Sequence, residues 1–226
     1  MKPWQYIVLF GLAIAGIVYI YLHRQEFGLA GPHTFTTGDS TTSEPNSSSS
    51  APAQITWEVV NRASDGFRVE MPADSREIQV PDYNEAGGTE QVNMLIAYPA
   101  PEVSFSVAWA DNPPVYRING RSPNRTLDMA RDDALARTQT SLVSESRDAA
   151  DGSPTRSFVA RNGGGGMMDS RLIFAGERLY MLTVAFPSSS TRRERDVARF
   201  FDSFKADQTA RITERLPSSA APFRRN

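Results

Sequence analysis

Cysteine is absent from the 226 residues, and histidine occurs only at His23 and His33. The first absence excludes disulfides, thiolate metal sites and lipid attachment through a cysteine thioether. The second leaves the stretch from Ile55 to Ala206 without an imidazole. Ser-His and Cys-His nucleophile pairs and histidine-based zinc sites are thereby removed from it. Lysine is scarce too: apart from Lys2 and Lys205, every strongly basic residue is arginine. A codon preference produces such a bias, and arginine's planar fork also suits protein interfaces. The charges nearly cancel, to −2, so no bulk field favours nucleic acid.

What is present begins with an apolar run. From Trp4 to Leu22 only Gln5 is strongly polar, and Lys2 and His23-Arg24 flank the run. At a helical rise it spans ~28 Å, about the hydrocarbon core of a bilayer. Trp4 and Tyr6 at one end, and Tyr19 and Tyr21 at the other, match the aromatic belts of a membrane-spanning helix. Ala13-Ile14-Ala15 has the spelling of a signal-peptidase site, but Gly16 to Ile20 continues the apolar run beyond it. An uncleaved single-pass anchor over residues 1–26 is therefore expected. Gly11 and Ala15 form a small-xxx-small pair of the kind that admits a neighbouring helix, although both are common in such spans. The short N-terminal tail favours an N-in arrangement in the cytoplasmic (inner) membrane, with the rest on the periplasmic or extracytoplasmic side.

Residues 27–54 change character. They are rich in Ser, Thr and Pro, with Ser47 to Ser50 in succession, and bury too little apolar surface to offset chain ordering. As a flexible coil this linker reaches ~30 Å root-mean-square, and ~95 Å pulled straight. Asn46-Ser47-Ser48 and Asn124-Arg125-Thr126 match the N-glycosylation triplet, a pattern short enough to arise by chance. Residues 55–206 form one domain and 207–226 a tail. In the tail, Phe223 flanked by Arg224 and Arg225 resembles a docking peptide.

Within the domain, alternation announces strands. Ile55, Trp57 and Val59 share one face, and Phe67, Val69 and Met71 another, with Ser64-Asp65-Gly66 as the turn between. Gln91 to Tyr98 and Val103 to Trp109 follow. A helix capped by Asn124 carries Leu127, Ala130, Ala134 and Thr138 on one stripe. Strands near 142–147, 157–161, 168–174 and 179–186 come next. A last helix from about Thr191 to Phe204 directs Val197, Phe200, Phe201 and Phe204 inward. Four strands, helix, four strands, helix predicts an α+β fold: a mostly antiparallel β-sheet packed with helices.

Asp65-Gly66-Phe67 followed by Met71-Pro72 resembles the opening strand of PsbP-like domains. Ala175-Gly176, Leu179 to Leu182 and Phe201-Asp202-Ser203-Phe204-Lys205 resemble the closing hairpin and helix of the PsbP and Mog (Ran-binding) family. The resemblance implies an αβα sandwich over roughly Trp57 to Lys205 and a non-enzymatic role, as a photosystem's extrinsic subunit or a small adaptor. The chain departs from that pattern by carrying its own anchor and by lacking the histidines that bind metal in such subunits. No metal or cofactor is therefore expected.

Other chemistry is sparse. Asp128 and Asp132 stand i,i+4, the spacing of an acid/base or metal-ligand pair, but Arg125 and Arg131 beside them favour a solvated, ion-paired first turn. Asp169 beside Arg171 reads as a cross-strand ion pair. Gly163 to Gly166 lacks the G-K-[ST] of a phosphate loop and reads as a hairpin tip, with Met167 and Met168 beside it as adaptable contacts. Arg192 and Arg193 open the last helix with positive charge. Tyr116, Arg117, Met167, Met168, Arg192, Arg193 and Phe223 are the candidate partner contacts. The expectation is a non-enzymatic accessory subunit of a membrane protein complex, with the bilayer and the other subunits as partners. A carboxylate hydrolase at Asp128 and Asp132, or an envelope ligand sensor with an apolar cavity under the sheet, are the alternatives.

Overall fold

Residues 54–83, 89–100, 103–111 and 122–207 are described by the computed structural model. The anchor residues Trp4, Tyr6, Gly11, Ala15, Tyr19 and Tyr21, the linker, and Tyr116, Arg117 and Phe223 lie outside the described residues. Among the described residues no helix is long and apolar enough to cross a membrane.

Among the described residues, five strands precede the first α-helix: β1 (Trp57–Arg62), β2 (Phe67–Pro72), β3 (Arg76–Tyr83), β4 (Thr89–Ala100) and β5 (Val103–Asp111). Helix α1 (Pro123–Thr138) leads to β6 (Thr140–Ala150), β7 (Ser153–Asn162), β8 (Met167–Ala175) and β9 (Arg178–Phe186). Helix α2 (Glu194–Ser203) and the short β10 (Lys205–Ala206) follow. One sheet has seven strands in the order β3-β4-β5-β9-β8-β7-β6, and a second has three in the order β1-β2-β10. The strand pairings described are all antiparallel. The expected mostly antiparallel α+β architecture is found, with two differences: a second small sheet, and β3. β3 is not among the expected strands; it carries only Ile78 and Val80 as alternating aliphatic residues, and as an edge strand it tolerates the Pro81 that a central one excludes.

The centre of the large sheet is covered on both faces. On one, Leu127, Ala130 and Ala134 of α1 pack on Phe158, Ala160, Leu172, Phe174 and Met181. Small alanines let the helix backbone lie close to the sheet, and α1 makes its contacts with β6, β7 and β8. The helix begins slightly earlier than expected. Ser122 is the N-cap and Pro123 occupies the first turn, where its missing N–H costs nothing. Asn124 is thus inside the helix rather than its cap.

The other face carries the aromatic core. Phe67, Val69 and Met71 of β2 and Val197, Phe200 and Phe201 of α2 pack on Phe105, Val107, Tyr180, Leu182 and Val184. Phe200 meets Phe105 edge-on at 5.3 Å, and Phe204 stacks on Phe67 at 5.7 Å. The 64–66 turn is locked to this core. Gly66 adopts a left-handed φ of 67°, and the Tyr180 hydroxyl donates to the Asp65 and Gly66 carbonyls at 3.0 Å each. Burial pushes the Tyr180 phenol above its ordinary value, with Arg178 pulling the other way. The expected face of β1 is corrected. Val59 is 54% exposed and Val60 packs on the core, because β1 is an edge strand with neither face fully covered.

Candidate functional site: a polar groove beside helix α2

Helix α2 does not cover its whole side of the sheet. Strand register defines what is left open. Ser144, Val159, Asp169 and Val184 stand opposite one another across β6, β7, β8 and β9. Ser146, Ser157, Arg171 and Leu182 form the next row on the same face. Each row runs from serine at the β6 edge to an aliphatic core residue under α2. Directly opposed residues share a face, so the polar ends form a floor where apolar residues would stand if the helix reached further.

A groove of about 510 Å³ lies over this floor, walled on its far side by Arg192, Glu194, Ala198, Phe201 and Asp202. At the far end of α2, Lys205 reaches Asp151 in the β6–β7 turn at 3.1 Å. Asp169 occupies the boundary between groove and core and is only 3% exposed. Its Oδ2 accepts from Arg192 Nη2 at 2.6 Å and Nε at 2.8 Å. Its Oδ1 is buried with no hydrogen-bond partner. Arg192 also pairs with Glu194. Arg171 lies 4.9 Å over the Phe201 ring, donates to the Phe201 carbonyl at 3.0 Å and stands 3.6 Å from Asp202. The expected Asp169–Arg171 pair is therefore corrected. The two share a face on one strand, and each finds its partner on α2 or just before it.

The two methionines are corrected as contacts. Met167 and Met168 begin β8 and are buried, one in each core. They leave the 163–166 tip because alternation carries successive side chains to opposite, covered faces. The tip itself is tied down. Asn162 Oδ1 accepts from the backbone N–H of Gly164 at 3.0 Å and of Gly166 at 2.8 Å. A side chain at Gly166 would stand 2.7 Å from the Asn162 amide nitrogen. Of the expected contacts among the described residues, Arg192 lines the groove and Arg193 is the N-cap of α2.

The carboxylates of α1 lie on the opposite face. Arg156, 1% exposed, donates to Asp128 at 2.7 Å and stands 3.1 Å from Glu145. Arg131 reaches Glu145 at 2.5 Å and Asp132 at 2.6 Å. Burial works against the Arg131 charge, but the hydrogen bond to Asp132 and the surrounding carboxylates outweigh it and raise its pKa. Asp128 and Asp132 thus do not face one another over an open site. Asp128 is drawn inward to a buried arginine, and Asp132 stays in solvent. A second cleft, of about 440 Å³ and more apolar, is lined by Ile55, Val103, Phe105, Phe186 and Val197 where α2 begins.

Sequence reasoning singled out Asp169 and Arg192 but did not join them, and it missed Glu194, Asp202 and the serine floor. The floor had a signal: Ser144, Ser146 and Ser157 replace apolar residues at alternating positions of neighbouring strands.

No protein-family model and no curated protein matches the chain. Among solved structures, it is similar to a cyanobacterial PsbP (CyanoP) from Synechocystis sp. PCC 6803, at 11% identity and a TM-score of 0.47, covering 72% of this chain and 99% of that one. It is also similar to PA94 from Pseudomonas aeruginosa, a protein of unknown function, at 14% identity and a TM-score of 0.36, covering 63% of this chain and 90% of that one. At such low similarity, function has to be read from this chain's own residues.

Proposed function

We propose that this chain is a non-enzymatic accessory subunit of a membrane protein complex: a binding domain held at the bilayer by an N-terminal anchor and a pliant linker. One observation carries the binding role: α2 stops short of the β6–β7 hairpin and leaves a polar groove bordered by a buried carboxylate with one oxygen unpaired. The sequence supplies the membrane role through the apolar run from Trp4 to Leu22 and the Ser/Thr-rich linker after it. Tethering keeps a partner's site at an effective concentration of order millimolar, so a modest groove suffices for stable association. The motifs around 65–72 and 175–205 resemble those of PsbP-like domains, and by that resemblance the assembly is a photosynthetic or other electron-transfer complex. The paired state of Asp128 favours this reading over a hydrolase, because a carboxylate committed to a buried guanidinium is a poor general base.

The test is gentle solubilisation of the tagged full chain from its native membranes. A stoichiometric membrane protein is expected to co-purify, and to be lost when the exposed groove carboxylates are reversed as Glu194→Arg with Asp202→Arg. Recovery of the chain alone overturns the proposal.

A further inference from the structure

The groove's unpaired oxygen specifies what it takes. A carboxylate oxygen removed from water without a donor is destabilising, so a ligand that brings an N–H to it recovers that cost on binding. The surrounding charge selects the sign. Glu145 is engaged by Arg131 and Arg156 on the other face. Asp169, Glu194 and Asp202 are then set against Arg171 and Arg192 around the groove. Arg171 leans on Phe201 and bonds its carbonyl, and is thereby held on the α2 wall. Arg192 divides itself between Asp169 and Glu194, and an incoming cation displaces it toward Glu194 without leaving either carboxylate alone. The groove already holds guanidinium groups in both favourable settings, on a carboxylate and over an aromatic ring.

From this geometry we infer that the groove receives a basic side chain, an arginine or lysine of the partner protein, which donates to Asp169 Oδ1 while its stem lies along Val159 and Phe201. The inference deepens the accessory-subunit reading and rests on it for the source of the side chain.

The probe is N-acetyl-argininamide, titrated into the full-length protein in detergent and followed by NMR shifts, with the citrulline analogue as its uncharged isostere. Saturable binding confined to groove residues is expected, with the citrulline analogue at least about tenfold weaker. Asp169→Asn is expected to weaken binding about tenfold. Glu194→Gln, at an exposed position where folding is not at stake, is expected to weaken it about threefold. Equal affinity for the two analogues, indifference to both substitutions, or no saturable binding overturns the site. Tighter binding of agmatine than of the argininamide overturns the peptide source and makes the groove a free-amine site. A chain that captures its membrane partner yet ignores the argininamide loses this inference alone. A chain that binds the argininamide through Asp169 yet captures no partner loses the accessory-subunit reading instead.

Discussion

The two faces of the large sheet solve the same problem differently. Under α1, the apolar contacts are small and the charged groups at the margin are knitted together: Asp128, Glu145 and Arg131 surround a buried Arg156. Under α2, the apolar contacts are large and aromatic, yet the charged margin is left incomplete, with Asp169 Oδ1 unpaired beside an open groove. A satisfied network rigidifies, whereas a partly satisfied one is costly unless something else completes it. Neither margin is complete, because Glu145 Oε1 under α1 is also buried without a hydrogen bond, but that oxygen stands 3.1 Å from the Arg156 guanidinium. Proteins place such local inconsistencies where they function.

That contrast can be broken most forcefully at Phe200. Phe200→Ala removes a fully buried ring between α2 and the sheet and is expected to cost about 3–5 kcal/mol, read as a shift in denaturant midpoint. Leu127→Ala under α1 is expected to cost about 2–4 kcal/mol in the same measurement, since α1 rests mainly on alanines around it. Parity of the two, or a larger loss at Leu127, would remove the claim that α2 carries the larger core.

The charged margins sharpen it further. Arg156→Met leaves Asp128 and Glu145 without their buried partner and is expected to cost about 2 kcal/mol, because partial exposure of Asp128 lets water compensate. Asp169→Asn is expected to cost only about 1 kcal/mol, since half of that carboxylate is already unpaired. If Asp169→Asn proved the more damaging, the α2 margin would be structural rather than open.

Tyr180 gives the pH dependence. Its folded pKa is raised above the ordinary value near 10 by burial. The associated stability is present below pH about 10 and is lost as pH rises from there through the folded value, where the unfolded phenol ionises first. Tyr180→Phe is expected to cost about 1 kcal/mol at neutral pH through its two carbonyl hydrogen bonds and to flatten this alkaline slope. An unchanged slope in the variant would assign alkaline unfolding elsewhere. The smallest effect is expected at Asp132→Asn, an exposed pair whose loss changes stability by at most about 0.5 kcal/mol.

Legibility in the sequence followed burial on a regular period. The stripe Leu127, Ala130, Ala134 and the inward faces of β2, β5 and α2 could be read because each has one covered side, and a covered side imposes its period on residue choice. Where an element sits at an edge, that constraint weakens: β3 was hidden behind Pro81, and β1 presents Val59 to solvent. Asp169 was visible as an oddity among the apolar residues of β8, but its neighbour Arg171 was the nearer guess. Its true partner, Arg192, arrives from beyond the β9 hairpin, a contact set by how α2 lies on the sheet.

By itself the sequence determined the class of the domain, the antiparallel strands with their two helices, and the exclusion of cysteine and histidine chemistry from residues 55–206. Composition and periodicity are local properties, and they suffice for these. Only the tertiary structure decided that a second small sheet shares a face with α2, that Met167 and Met168 are core, and that Asp169 faces a groove with one oxygen unpaired. These depend on which elements meet across long stretches of chain, and on where a helix ends relative to the sheet beneath it.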